Sequence, residues 1–146
     1  MSKATEYILK PLEEEEIIQA IQAAELRTSG EIRVHIEKEA QGDVYERALE
    51  VFHLLKMDQT KLSNGVLIYL AVADKAFAIC GDKGIHDNVP DDFWDTTKNL
   101  MQSHFKAGNF KQGLIEGIHK SGEQLAKFFP WKKNDENELP NAISKG

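Results

Sequence analysis

Apolar residues first recur along the chain at three- and four-residue intervals. Leu12, Ile17, Ile18, Ile21 and Ala24 follow this spacing, which lines one face of a helix. Pro11 suits a first helical turn, and Glu13 to Glu16 complement the positive end of the helix dipole, so the pattern predicts a helix from Pro11 to about Leu26. Thr28-Ser29-Gly30 breaks the period. The spacing then changes to two: Ile32, Val34 and Ile36 alternate with Arg33, His35 and Glu37, which predicts a strand with one buried face and one polar face. A turn over Glu39 to Asp43 leads to a second helical stripe, Val44, Ala48, Val51, Phe52 and Leu55. Asn64-Gly65 then opens the unbroken apolar run Val66 to Val72, expected of a strand covered on both faces. Strand, helix and strand in this order predict a right-handed parallel crossover. Ala73-Asp74-Lys75 is too short for another crossover, so Ala76 to Cys80 is expected to return antiparallel as a hairpin.

Beyond a polar loop from Gly81 to Asp92, Phe93, Trp94, Thr97, Leu100, Met101, His104 and Phe105 mark an amphipathic helix. Asp91 or Asp92 is the expected cap and Gly108 the stop. The last helix carries Phe110, Leu114, Ile118, Leu125, Phe128 and Phe129, with Gly113 and Gly117 allowing a close neighbour and Pro130 limiting it. The expected fold is therefore α/β: a three-layer αβα sandwich whose small mixed sheet combines a parallel crossover with an antiparallel hairpin. The domain is expected over 11–130, between a flexible N-terminus (1–10) and a flexible polar tail (131–146).

Length and composition support one core. A chain of 146 residues buries roughly 70% of the surface that its unfolded form exposes. With 41% apolar and 29% charged residues, disorder is excluded. A net charge of -6 and scattered lysines argue against nucleic acid, which needs a clustered basic face. No apolar window is long enough to span a membrane, and the N-terminus lacks a signal-peptide layout, so a cytoplasmic monomer is expected. The single cysteine, Cys80, has no disulfide partner and no zinc-ligand spacing, and reads as a small buried hydrophobe.

The densest polar cluster lies between Gly81 and Asp92, with Asp82, Asp87, Asp91, Asp92, Asn88 and two glycines. Hard cations need several converging oxygens, and glycine lets backbone carbonyls turn inward. The hairpin brings the end of its second strand beside the start of the first, and a parallel partner strand puts Glu31 at the same sheet end. Glu31, Asp82, Asp87, Asp91 and Asp92 thus form a candidate set for Ca²⁺ or Mg²⁺. The same aspartates equally suit turns and helix caps. At the opposite sheet end, Glu37, Glu39, Asp43 and Asp74 gather as a weaker competing set that reads as solvated turns. His86 is a further ligand or proton-donor candidate within the loop. The phosphate-loop, nucleophile-elbow and zinc-protease motifs are missing, as is the EF-hand spacing.

Glu25 to Val34 and Asn64 to Ile68 resemble the opening and central-strand blocks of the TPM domain family. Gly81 to His86, Phe93-Trp94-Asp95, Phe105 with Phe110, the spaced Gly113, Gly117 and Gly122, and Phe129-Pro130 resemble its later blocks in order. The resemblance implies the αβα sandwich. The family is named after a thylakoid lumen protein, a photosystem II repair protein and a modulator of acetylcholine receptors, so it implies fold more firmly than function. Some members are described as acid phosphatases, and divalent cations are associated with the acidic crevice where Asp82, Asp87 and Asp91 fall here. Three functions are therefore expected in competition: a divalent-cation-binding domain, a weak metal-assisted acid phosphatase, and a non-enzymatic module that docks a protein partner.

Overall fold

A computed structural model describes residues 9–131 and 141–146. Helix α1 (Pro11–Glu25) starts at the expected proline, with Glu13 accepting a hydrogen bond from the Lys10 amide at 2.9 Å. Strand β1 (Glu31–Glu37) is followed by α2 (Val44–Leu54), whose N-cap Asp43 accepts from the Glu46 amide. Strands β2 (Gly65–Ala71) and β3 (Ala76–Gly81) form the hairpin. A short helix α3 (Lys83–His86) precedes α4 (Asp95–Lys106) and α5 (Phe110–Ala126), and residues Ser144–Lys145 form a final strand, β4.

The sheet order is β3-β2-β1-β4. β1 and β2 run parallel through the crossover, from Glu31 opposite Gly65 to Glu37 opposite Ala71. β2 and β3 are antiparallel, as the short connection requires. β4 pairs parallel with β1 at His35 and Ile36. Its formation departs from the expected structureless end: the polar tail closes on an edge strand, while residues 132–140 lie outside the described residues.

Alternation along the strands divides the core in two. Ile32, Val34, Ile36, Val66, Ile68 and Leu70 face α1, α4 and α5, where they meet Ile17, Ile21, Met101, Phe105, Leu114 and Ile118. Leu67, Tyr69, Ala71, Ala78 and Cys80 face α2 and pack on Ala48, Val51 and Phe52. Both faces of β2 are thus covered, as its continuous apolar run predicts. Cys80 is buried as expected, and burial pushes its thiol up to about 12, which leaves it inert at neutral pH.

Three local expectations are corrected. Leu12, assigned to the inward stripe of α1, is 78% exposed. Asp91 and Asp92 do not cap α4: they lie in a turn, Trp94 occupies the N-cap position, and no side chain caps the helix. The polar face of β1 is not solvated, for His35 and Glu37 are both buried.

Candidate functional site

Two polar assemblies occupy opposite ends of the sheet. The first is the predicted one. Glu31 begins β1 opposite Gly65 of β2, and the Asp82 amide donates to the Gly65 carbonyl at 2.9 Å. The three residues therefore stand side by side across three strands. By alternation with Arg33 and Leu67, Glu31 and Gly65 belong to the α2 face of the sheet, and Asp82 follows directly on the end of β3. Glycine contributes no side chain in the middle position, and the backbones of Glu31 and Asp82 each lie about 5 Å from that of Gly65 across the sheet.

Asp82 also begins α3: its Oδ1 accepts from the Lys83 amide at 2.7 Å. Its Oδ2 is buried and has no hydrogen-bond partner, a condition that native structures seldom leave unexplained. Gly84 fixes this helix close to the preceding loop, since a Cβ there would lie 2.4 Å from the Leu62 carbonyl oxygen.

The remaining predicted residues are distributed around the loop. Asp91 lines a cleft of about 140 Å³ with Gly81, His86, Trp94 and Lys98. Asp87 ends α3, and Asp92 contributes its carbonyl to the Asp95 amide; both are exposed. Among the described residues, no three His, Cys, Asp or Glu side chains are close enough to hold a metal ion together. Strand register brings the backbones of Glu31 and Asp82 to either side of Gly65, while Asp87, Asp91 and Asp92 lie further along the loop.

Another carboxylate borders this end. Glu25, at the end of α1, accepts from the Ile32 amide at 3.1 Å. Burial, reinforced by the charge of Glu31, raises its carboxyl to about 7 against the pull of that hydrogen bond.

The second assembly, outside the carboxyl ends of β1 and β2, was not legible as a unit. Its centre is buried Glu37. Arg47 of α2 donates to it in bidentate fashion, Nε at 2.8 Å and Nη2 at 3.0 Å. The Tyr69 hydroxyl donates from β2, and His35 Nε2 lies 3.1 Å away. Burial alone would raise the Glu37 carboxyl, but the hydrogen bonds from Arg47, Tyr69 and His35 hold it at about 2. An ionised Glu37 requires the proton of His35 on Nε2. Nδ1 then accepts from the Ser144 hydroxyl of β4 at 2.9 Å. His35 is kept neutral by burial, which lowers its pKa, and it stacks on Tyr69 with ring centroids 5.8 Å apart. Two others of the competing acidic set serve the backbone, Asp43 capping α2 and Asp74 accepting from the Ala40 amide, while Glu39 is exposed. Sequence alternation marked His35 and Glu37 as outward. The signal that could have corrected it is Tyr69, a hydroxyl-bearing residue inside an otherwise apolar strand.

Four mixed strands with helices on both faces and acidic loops at one end define a small α/β domain of the TPM type. The TPM domain profile matches residues 3–124, and the chain belongs to this family. Among solved structures it is similar to the NMR structure of the BA42 protein from the psychrophilic bacterium Bizionia argentinensis. The two share 65% identity, with a TM-score of 0.90 over 94% of this chain and 95% of that one. It shares the fold of the N-terminal domain of a protein from P. gingivalis, at 21% identity and a TM-score of 0.68 over 84% and 80% of the two chains. The N-terminal domain of the cg2496 protein from Corynebacterium glutamicum has the same fold at 12% identity, with a TM-score of 0.64 over 94% and 81%. No curated protein matches. No helix among the described residues is long and apolar enough to cross a membrane.

Proposed function

We propose that the domain binds a divalent cation, Ca²⁺ or Mg²⁺, between Asp82 and Glu31. The observation that carries this reading is the buried Oδ2 of Asp82, which has no hydrogen-bond partner among the described residues, in a residue whose backbone neighbours Gly65, the register partner of Glu31. A cation there would give that oxygen the partner it lacks. Mg²⁺ keeps several waters and is held through one or two carboxylates, so the two residues meet its needs. Ca²⁺ takes six to eight oxygens and would draw Asp91, then Asp87 and Asp92, inward from the loop. All donors are hard oxygens, the chemistry both ions prefer.

The test is a ¹⁵N-¹H titration of metal-stripped protein with Mg²⁺ and, separately, Ca²⁺. Saturable shifts at Glu31, Gly65 and residues 81–92 are expected in the wild type, with at least a tenfold weaker response in Asp82→Asn, about the loss that removal of one charged ligand oxygen entails. Shifts limited to the Asp87–Asp92 turn, or unchanged affinity in the variant, would sink the reading. Hydrolysis of a generic phosphate ester, assayed on the same two proteins, separates plain cation binding from metal-assisted phosphatase chemistry.

A further inference from the structure

The cleft of about 440 Å³ beside the Glu37 assembly is lined by Glu37, Lys38, Glu39, Gln41, Arg47 and Glu50, with Ala40 and Gly146. It opens outside the carboxyl ends of the parallel strands β1 and β2, with β4 on the far side of β1. In open α/β sheets, ligands bind in the crevice outside the carboxyl ends of the strands, where neighbouring strands lead in opposite directions. Its volume suits a small molecule.

Arg47 is the informative residue. Its Nε and Nη2 are consumed by Glu37, which fixes the plane of the guanidinium. Nη1 makes no hydrogen bond among the described residues; it approaches the Glu50 carboxylate only to 3.8 Å. Glu50 is a solvated partner, with 67% of its side chain accessible against 29% for Arg47. A buried ion pair is weak support for stability, since desolvation offsets its attraction. What this one achieves is a rigid arginine with one donor edge turned to a cleft, and such an edge matches an oxyanion. Lys38, exposed on the same rim, supplies a second cation.

We propose that this cleft binds a small molecule through a single oxyanion group, a carboxylate or a phosphate, held by Nη1 of Arg47 and Nζ of Lys38, with Glu50 competing for the arginine edge. Glu39 and Glu50 make the rim acidic, which disfavours ligands that carry several anionic groups and sets the ligand as small with one oxyanion group. The proposal is independent of the cation reading, which concerns the opposite end of the sheet.

The experiment titrates ¹⁵N-labelled full chain with acetate and, separately, with inorganic phosphate at pH 7 and constant ionic strength. Amides of residues 38–42 and the Arg47 Nε–H signal are followed. Saturable shifts confined to these groups are expected. Lys38→Ala should weaken binding roughly two- to five-fold and Glu50→Gln should strengthen it by a similar factor, the range of an exposed ion pair. Both residues are exposed, so neither variant threatens folding. Saturation by phosphate alone assigns a phosphate-bearing ligand, and saturation by acetate alone a carboxylate. Non-saturating shifts with both anions, or affinities unmoved by both variants, overturn the proposal.

Discussion

Glu37 accepts four hydrogen bonds while buried, two from Arg47 and one each from Tyr69 and His35. Removing the carboxylate leaves Arg47, Tyr69 and His35 without their common acceptor. Glu37→Ala is therefore expected to cost about 3–5 kcal/mol, and Tyr69→Phe, which removes one donor, about 1–3 kcal/mol; urea unfolding at pH 7 measures both. The pH dependence has a definite sign. The folded carboxyl titrates at about 2 rather than 4.5, so its contribution is present above pH 4.5 and disappears as pH falls towards 2. The deficit of Glu37→Gln should shrink over that window. Glu25 works in the opposite sense. Its carboxyl is raised from 4.5 to about 7, so the folded state is favoured below pH 4.5 and this contribution is lost as pH rises through 7. Glu25→Gln keeps an acceptor for the Ile32 amide. In the presence of a chelator it should raise the melting temperature at pH 8 and leave it nearly unchanged at pH 4. An equal rise at both pH values would contradict the assignment.

At the scale of elements, the helices pack through glycine. A Cβ on Gly113 of α5 would lie 2.5 Å from the Phe105 ring of α4, and one on Gly117 would lie 2.4 Å from Met101 Sδ. Phe105 is 1% exposed and is held edge-on by Phe77 at 5.1 Å, so its ring has little room to yield. Alanine would gain roughly 1 kcal/mol of helix propensity, but overpacking costs about 1–3 kcal/mol, and the clash is the larger effect. Gly113→Ala should lower the melting temperature; a thermal scan checks it. These glycines, the crossover and the hairpin were readable from the sequence because each depends on local spacing or on a connection too short for any alternative. Leu12 was misread because a five-residue step to Ile17 carries it about 140° around the helix. The buried stripe instead runs through Ile17, Ala20, Ile21 and Ala24. The cap of α4 was misread for a related reason: Asp91 and Asp92 have the right chemistry, but Phe93 turns into the core first.

Across the whole molecule, what escaped the sequence is whatever depends on distant segments. Period-two alternation placed Arg33, His35 and Glu37 on one face correctly, but it could not say what covers that face. The cover comes from Arg47 of α2, ten residues beyond Glu37, and from Ser144, 109 residues beyond His35. The candidate site at the Glu31 end was legible to the extent that strand register fixes it: Glu31, Gly65 and Asp82 align as the crossover and hairpin dictate. The distance of the loop aspartates from that line depends on the path of a turn, which composition does not encode.

The placement of β4 also imposes an order in time. Ile36 takes Lys145 as its outer neighbour, so during synthesis β1 is made about 110 residues before the strand that completes its edge. At about 5–20 residues per second, the ribosome leaves that edge open for roughly 5–20 s. Throughout this interval the outer edge of β1 at His35 and Ile36 is open, and His35 lacks Ser144.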